Sequence, residues 1–305
     1  MSEVVLNTIR KTYNKGSIVA VDDVSFSVEK GEIFGLIGPD GAGKTSIFRV
    51  LTTLLLPDGG NASVSGNDVV KDYKEIRKQV GYMPGKFSLY QDLTIDENLN
   101  FFAAIFNTTV KENYDLIKDI YVQIEPFKDR RAGKLSGGMK QKLALCCALI
   151  HRPTVFFLDE PTTGVDTVSR KEFWEMLKRL KEQGITILVS TPYMEEATLC
   201  DRIALMQNGK MLKIDTPENI HKQYPKKLYA IKSAKMNPLL HDLRENENIN
   251  SSYAFGEYHH ITFKKDDDAA QGALIDYLNT KQHKDVELKI IAPTIEDCFI
   301  KLMSK

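Results

Sequence analysis

The stretch Gly38-Pro-Asp-Gly-Ala-Gly-Lys-Thr45 lies between a short apolar run, Ile33–Ile37, and a helical pattern that extends from Lys44 to Leu55. Glycine allows backbone N–H groups to turn inward and to approach a phosphate closely. The first turn of the following helix adds positive electrostatic potential at the same place. A strand, a glycine-rich loop of this spacing and a helix therefore predict a loop that holds the phosphates of a nucleotide.

The residue types in this loop predict which part of the nucleotide each one contacts. We expect Lys44 to reach the β- and γ-phosphates of ATP and the Thr45 hydroxyl to bind Mg²⁺. The other candidate binding residues of the segment are Gly38, Asp40, Gly41, Ala42, Gly43 and Ser46.

A second candidate element is the apolar run Val155–Leu158, which is followed by two acids, Asp159 and Glu160. We expect Asp159 to hold Mg²⁺, directly or through water, because it ends a predicted strand behind the phosphate loop. The adjacent Glu160 is the candidate catalytic residue, placed to polarise the attacking water.

Strand and helix patterns alternate along the first two thirds of the chain, which predicts a parallel sheet in an α/β domain. The composition changes after about residue 220, and a further cycle of strands and helices over 228–305 predicts a small α+β unit. We therefore place a first domain at 1–225, with a helical subdomain at about 85–150, and a second domain at 226–305. The acidic run at 266–268 is expected to be a solvated helix start.

Two further segments carry a family resemblance. The run Leu135-Ser-Gly-Gly-Met-Lys-Gln141 resembles the LSGGQ signature of ABC ATPases, with Met139 in its final position. The run Asp159-Glu-Pro-Thr-Thr-Gly-Val-Asp166 looks like the Walker B and D-loop segment of the same family. In that family the signature serves the ATP held by the opposite subunit. The resemblance thus implies nucleotide contacts for Ser136, Gly137, Gly138 and Asp166, and it implies that Tyr13 stacks on adenine.

The resemblance covers roughly residues 3–220, and it implies a P-loop ABC-type ATPase core with a helical subdomain and an N-terminal antiparallel sheet. From Lys44 to Ser136 is 136 − 44 = 92 residues. This gap fits a transporter-type ATPase and leaves no room for the long coiled coil of chromosome-maintenance ATPases. The tail Ala292–Phe299 resembles that of ATPases from ABC-2 type exporters.

The implied partners are integral-membrane permease subunits, which would bind near residues 83–100, and a second ATPase domain in a homodimer or heterodimer. The implied location is the cytoplasmic face of a membrane. The longest apolar runs, Phe101–Phe106 and Leu143–Ile150, are far shorter than a membrane span, so another chain would supply the span.

Two positions depart from the family pattern. The family places a glutamine after Gly-Tyr-Met-Pro84, where this chain has Gly85, and a histidine before Tyr193, where it has Pro192. Proline offers neither a polar side chain nor an N–H to the γ-phosphate. We therefore expect weak hydrolysis at the chain's own site, unless Lys86 or Thr191 compensates.

Composition limits the alternatives. Apolar residues make up 42% of the 305 residues, and the 41 basic residues balance the 41 acidic residues, so we expect no nucleic-acid partner. The cysteines lack zinc-site spacing and are expected to be reduced and buried. A metal site at His259, His260 and His283 is not expected either.

Three hypotheses remain. The first is the ATPase subunit of an ABC-2-like exporter, in which closure of two ATPase domains over ATP drives a permease. The second is a soluble ABC protein that acts on ribosomes or nucleic acid, which the neutral charge and the single ATPase domain disfavour. The third is a mainly non-hydrolytic half of a heterodimer, which Gly85 and Pro192 favour.

Overall fold

The computed structural model describes residues 2–265 and 267–303, and it divides into two compact units between Pro217 and Glu218. This division precedes the boundary predicted at residue 225. A short helix at the boundary packs with the second unit and explains the difference. Its residue Ile220 is buried, and the Ile220 carbonyl accepts a hydrogen bond from Sγ of Cys298 at 3.6 Å.

The first unit contains strands that form two sheets. In chain order they are β1 (Ser2–Tyr13), β2 (Ile18–Glu29), β3 (Ile33–Ile37), β4 (Gly59–Val64), β5 (Asn67–Asp68), β6 (Val80–Met83), β7 (Val155–Asp159), β8 (Thr186–Thr191), β9 (Arg202–Gln207) and β10 (Lys210–Asp215). The helices of this unit are α1 (Lys44–Leu51), α2 (Tyr73–Gln79), α3 (Ile95–Ile105), α4 (Tyr114–Tyr121), α5 (Gly137–Leu149) and α6 (Thr167–Glu182).

The N-terminal sheet is antiparallel, with strand order β2-β1-β4-β5. Strand β2 alternates between buried and more exposed residues, because one face of the sheet packs on the core and the other does not. The apolar residues Val24, Phe26 and Val28 all point into that core. This sheet confirms the predicted N-terminal antiparallel layer.

The central sheet has the order β10-β9-β3-β8-β7-β6, and all its strands except β10 run parallel. Its middle strands are buried along their whole length, as expected for a sheet covered on both faces. In register, Ile37 pairs with Thr191 and Asp159 pairs with Ser190. The carboxyl ends of β3, β8 and β7 therefore lie side by side, which is the edge where α/β sheets bind ligands.

Helices α3, α4 and α5 follow β6 and pack against one another, with α5 in contact with both others. A capping box begins α3: the Thr94 hydroxyl accepts from the Glu97 amide at 3.1 Å, and the Glu97 carboxylate accepts from the Thr94 amide at 2.8 Å. These helices lie inside the range where the sequence predicts a helical subdomain. None of the helices within the described residues is long and apolar enough to cross a lipid bilayer.

The second unit is a split βαβ arrangement. Helix α7 (Pro217–Lys222) precedes β11 (Leu228–Lys232), α8 (Met236–Glu245), β12 (Ile249–Phe255), β13 (Tyr258–Phe263), α9 (Asp268–Thr280), β14 (Glu287–Ile291) and α10 (Ile295–Met303). The antiparallel strand order β12-β13-β11-β14 is that of a ferredoxin-like sheet. Leu239, Leu243, Leu274 and Leu278 of α8 and α9 cover one face of it.

The predicted small α+β unit is thus confirmed. Of the acidic run, Asp266 lies outside the described residues. Asp267 caps α9 by accepting a hydrogen bond from the Ala270 amide at 2.7 Å.

Three histidines of the second unit and the cysteines all have described surroundings. His259, His260 and His283 each contact a different partner: the carbonyl of Met236, the carboxylate of Asp297 and the carboxylate of Asp242. The cysteines are free and buried, as predicted: Cys146, Cys147, Cys200 and Cys298.

Candidate active site

The phosphate loop joins the end of β3 to the start of α1 and is held closely by the neighbouring strands. Gly43 has φ +105°, and a Cβ atom there would lie 2.2 Å from the carbonyl oxygen of Ala20. A Cβ atom on Gly38 would lie 2.2 Å from the carbonyl oxygen of Met206. Any side chain at these two positions would collide with backbone, so the loop conformation requires glycine.

Lys44 is almost fully buried, with 3% of its surface exposed. Its Nζ donates to the carbonyl oxygens of Gly38 at 2.8 Å and Pro39 at 3.0 Å. The same atom lies 3.2 Å from Oε1 of Glu160. The ammonium group is thus held inside the loop and beside the candidate catalytic carboxylate, where it can exchange these contacts for phosphate oxygens.

Thr45 and Asp159 form the candidate metal site. The Thr45 hydroxyl donates to Oδ1 of Asp159 at 3.2 Å, although the two residues are far apart in sequence. Asp159 is buried, and its Oδ1 also accepts a hydrogen bond from Oγ of Ser190 at 2.7 Å. A hydroxyl and a carboxylate at the end of the phosphate loop are hard oxygen donors, and this is the donor set that Mg²⁺ prefers.

Glu160 follows β7 in a left-handed conformation, with φ +51°. Its amide donates to the carbonyl oxygen of Ser190 at 3.1 Å and lies 3.0 Å from Oγ of the same residue. These contacts turn the chain sharply after Asp159, so that two adjacent carboxylates face different partners. Asp159 faces Thr45, and Glu160 faces Lys44.

Other predicted residues of the site lie around the loop. The Tyr13 hydroxyl is 3.0 Å from Oγ of Ser46 on α1, which brings the aromatic ring predicted to stack on adenine beside the phosphate loop. Ala42 is buried, and its carbonyl accepts from the Gly209 amide at 3.0 Å. Asp40 and Gly41 are exposed at the tip of the loop, where Gly41 has φ +79°.

The signature segment lies at the start of another helix. Ser136 caps α5 by accepting a hydrogen bond from the Met139 amide at 3.4 Å. Gly137 lines a cavity of about 210 Å³ together with Gly85 and Glu160. A Cβ atom on Gly138 would lie 3.6 Å from Oγ of Ser169 in α6.

Asp166 caps α6, accepting from the amides of Val168 at 3.1 Å and Ser169 at 3.0 Å. Hydrogen bonds from the backbone and side chain of Ser169 hold the pKa of the Asp166 carboxyl below its ordinary value. Within the described residues, no hydrogen bond or ion pair joins Asp166 or Ser136 to Lys44.

The two departures from the family pattern lie at the same edge of the sheet. Gly85 follows β6 and is adjacent to Asp159, whose carbonyl oxygen would lie 3.0 Å from a Cβ atom on Gly85. Pro192 follows β8. The Thr191 hydroxyl, one of two predicted substitutes for the missing side chains, instead donates to the buried Glu196 at 2.5 Å. The other substitute, Lys86, lines the cavity that contains Glu160.

Ser190 and Glu196 border the site, and the sequence patterns did not single them out. Ser190 follows an apolar run in β8 and looks like an ordinary polar residue near a strand end. A signal was available, since a hydroxyl on the strand next to Asp159 in a parallel sheet is within reach of that carboxylate. Glu196 looks like one acid of an exposed pair, and only the fold reveals that it is buried and Glu195 is not.

Comparisons with known proteins agree with this geometry. The family model of the ABC transporter matches residues 21–163, which include the phosphate loop, Asp159 and Glu160. The Nod factor export ATP-binding protein I of Rhizobium sp. (strain N33) is 37% identical over 227 residues, which are 73% of this chain and 75% of that protein. The chain belongs to the ABC transporter ATP-binding proteins.

Other ABC transporter ATP-binding proteins match over similar ranges. The "Probable multidrug ABC transporter ATP-binding protein YbhF" of Escherichia coli (strain K12) is 40% identical over 223 residues, which are 72% of this chain and 39% of that protein. The doxorubicin resistance ATP-binding protein DrrA of Mycobacterium tuberculosis (strain H37Rv) is 40% identical over 68% of this chain and 63% of its own length. The chain therefore matches less than two thirds of either relative.

Solved ATP-binding cassettes share the fold of this ABC transporter ATP-binding protein. An ATP-binding subunit of an ABC transporter has a TM-score of 0.67 at 26% identity and covers 73% of this chain and 93% of its own. The dimeric cassette MJ0796, in a post-hydrolysis state bound to ADP and Pi, has a TM-score of 0.64 at 25% identity over 70% of this chain and 98% of its own. Both confirm the predicted fold class.

Proposed function

We propose that this chain binds Mg-ATP at the Gly38–Thr45 loop, hydrolyses it, and couples dimer closure to a separate membrane permease of an exporter. The observation that carries the proposal is the convergence of Lys44, Thr45, Asp159 and Glu160 at one sheet edge. These residues come from two segments more than 100 positions apart, and each one has the chemistry that phosphoryl transfer needs.

Each residue of the site has a separate role in binding or hydrolysing ATP. Lys44 and the inward-turned loop amides bind the β- and γ-phosphates, while Tyr13 packs against the adenine. Thr45 and Asp159 would hold Mg²⁺, which would supply positive charge beside the phosphate oxygens. Glu160 orients the attacking water, and its pairing with Lys44 supports a position beside the γ-phosphate.

Binding is tested by titrating the purified chain with Mg-ATP and following heat release. The variant Lys44→Ala removes the charge inside the loop, and we expect it to weaken ATP binding by at least about tenfold, since charge-assisted hydrogen bonds contribute about 1.5–3 kcal/mol. Lys71→Ala, an exposed lysine far from the loop in sequence, is the control. Unchanged binding in Lys44→Ala would contradict the proposed site.

A groove beside the helical region is the proposed contact for the permease. It has a volume of about 360 Å³ and is lined by Leu54, Met83, Leu89, Phe102 and Phe106, among other residues. Leu54 is 54% exposed, which is a large exposure for an apolar side chain in a groove. The groove overlaps the segment 83–100 that the family resemblance links to the permease. A peripheral position on the cytoplasmic face of the membrane is part of the same proposal.

A second ATPase domain is the other proposed partner. Ser136, Gly137, Gly138 and Asp166 would contact ATP bound by that second copy, because the hydrogen bonds described for Ser136 and Asp166 cap α5 and α6 and do not reach this chain's own loop. The similar cassette MJ0796 is dimeric, which supports the arrangement.

A mainly non-hydrolytic half of a heterodimer is the second candidate function. Gly85 and Pro192 favour it, since neither places a polar side chain near Glu160. Under this alternative the chain binds ATP, and a partner with the family's glutamine and histidine carries most of the turnover. A purified homodimer with the full rate of intact family members would exclude it.

A further inference from the structure

Glu196 is a buried carboxylate with 2% of its surface exposed, and the mechanism above does not use it. Its Oε2 accepts hydrogen bonds from the hydroxyls of Thr191 at 2.5 Å and Thr162 at 3.1 Å. Its Oε1 has no hydrogen bond within the described part of the chain, although Nε of Arg170 lies 3.5 Å away. A buried carboxyl oxygen without a hydrogen bond costs free energy, so its presence calls for an explanation.

The three neighbours of Glu196 belong to three segments of the site. Thr191 ends β8, and its carbonyl accepts from the Gly38 amide of the phosphate loop at 3.3 Å. Thr162 lies two residues after the catalytic candidate Glu160. Arg170 lies in α6, the helix that Asp166 caps. The carboxylate of Glu196 thus contacts the end of β8, the segment after Glu160 and helix α6.

We propose that Glu196 is a positioning residue for ATP hydrolysis, holding the end of β8 and the segment Glu160–Asp166 in a fixed relation. The inference rests on the proposed function. Pro192 contributes no polar side chain, and the Thr191 hydroxyl is committed to Glu196. The end of β8 therefore contributes to the site through the orientation of its backbone. Glu196 fixes this orientation, because the hydroxyls of Thr191 and Thr162 both donate to its Oε2.

Arg170 lies between the buried Glu196 and two less buried residues, Tyr193 and Glu195. Its guanidinium carbon lies 4.1 Å from the ring centroid of Tyr193, and its NH1 lies 3.4 Å from Oε1 of Glu195. Glu195 is exposed and pairs with the same arginine, and no hydrogen bond within the described residues joins its carboxylate to Thr162 or Thr191. The chain therefore supplies a matched control, an adjacent acid that pairs with the same arginine and has no described hydrogen bond to Thr162.

The test compares kcat, KM for ATP and thermal stability of the natural chain with Glu196→Ala, Glu196→Gln and Glu195→Ala. We expect Glu196→Ala to lower kcat by about 10–100-fold, as for other residues that orient a reacting group. KM should stay within about threefold, because Glu196 does not contact the loop that binds ATP. Glu195→Ala should match the natural chain.

Glu196→Gln keeps the volume and an acceptor oxygen for both hydroxyls, so it should fold and fall between the natural chain and Glu196→Ala. The double variant Thr162→Val with Glu196→Ala should lose less activity than the product of the two single losses. The reason is that each substitution removes the same hydrogen bond between Thr162 and Glu196.

Two outcomes would overturn the inference. One is an unchanged kcat in Glu196→Ala. The other is a joint loss of thermal stability and ATP binding with no specific loss of kcat, which would make Glu196 purely structural. The natural chain is measured in the same experiment. If the natural chain binds ATP without any turnover, the proposed hydrolysis fails together with the inference that rests on it. If the natural chain is active and Glu196→Ala is equally active, only the inference about Glu196 fails.

Discussion

The backbone carbonyl oxygen of Asp159 lies 3.0 Å from the position that a Cβ atom on Gly85 would occupy. A Cβ atom on Gly85 would also lie 3.7 Å from Cβ of Glu160. Residue 85 therefore borders both acids of the site, and the absence of a side chain leaves the cavity beside Glu160 open. Restoring a glutamine here would require the neighbouring backbone to shift by a few tenths of an ångström.

Gly85→Gln with Pro192→His should raise kcat if the missing polar groups limit hydrolysis. A positioned group that stabilises the transition state contributes about 10²–10³ in rate, and we expect a gain of about tenfold or more because part of it is lost to the tight contact at Asp159. Steady-state phosphate release measures this gain. Gly85→Ala is the control: it introduces the same Cβ contact, costs about 1 kcal/mol of stability by overpacking, and should give no gain. Natural turnover equal to that of intact family members would contradict the weak-hydrolysis account.

Ser190→Ala should reduce the apparent affinity for Mg²⁺ more than that for ATP. The Ser190 hydroxyl donates to Asp159 and also lies against the Glu160 amide, so its loss frees the candidate metal ligand to rotate. Partners that orient metal ligands typically contribute about 10–100-fold in metal affinity or activity. The measurement is ATP turnover as a function of Mg²⁺ concentration at saturating ATP. Ser17→Ala, on the exposed turn before β2, is the control, and an unchanged Mg²⁺ dependence in Ser190→Ala would refute the assignment.

Leu54→Arg should abolish binding to the permease without affecting ATP binding. Leu54 is exposed in the groove lined by Phe102 and Phe106, and a charge there would be buried on docking at a cost of about 2 kcal/mol or more. Co-purification with membrane permease subunits from detergent-solubilised membranes measures the effect. Ile290→Arg adds the same charge at a 63% exposed apolar residue of the second unit. Equal loss in both variants would argue against the groove as the docking site.

Asp297→Asn should destabilise the chain at neutral pH and lose its effect in acid. Burial alone would raise the pKa of Asp297, but hydrogen bonds from His260 and Thr294 hold this pKa below the ordinary value of 3.8. A lowered pKa stabilises the folded state above the unfolded value, and the stabilisation disappears as the pH falls through the lowered folded value.

The difference in free energy of unfolding between the natural chain and Asp297→Asn should therefore be about 1–3 kcal/mol at pH 7 and should shrink below about pH 4. Urea unfolding at a series of pH values measures it. Asp276→Asn removes an exposed carboxyl on α9 and should show no such pH dependence. A difference that persists unchanged into acid would contradict the role of the Asp297 charge.

The sequence predicted the parts of the site that local chemistry dictates. Lys44 and Thr45 follow glycines that no other residue can replace, and Asp159 ends an apolar strand, so their meeting follows from a parallel sheet. Ser190 and Glu196 were missed because their roles depend on which strand lies beside β7 and on how the segment after β8 folds back. Strands β9 and β10 were also not predicted, since β9 is an apolar run that resembles a helix segment at this length.

The most direct test of the central claim is steady-state ATP hydrolysis by the purified chain with Mg²⁺, beside Glu160→Gln. Glu160 lies 3.2 Å from Nζ of Lys44, and its loss should leave ATP bound. We predict slow, Mg²⁺-dependent turnover by the natural chain and a reduction of about 10²–10⁴-fold in Glu160→Gln, the range for loss of a general base. The exposed Glu182→Gln should match the natural chain. Equal turnover in Glu160→Gln and the natural chain would contradict the claim that this site hydrolyses ATP.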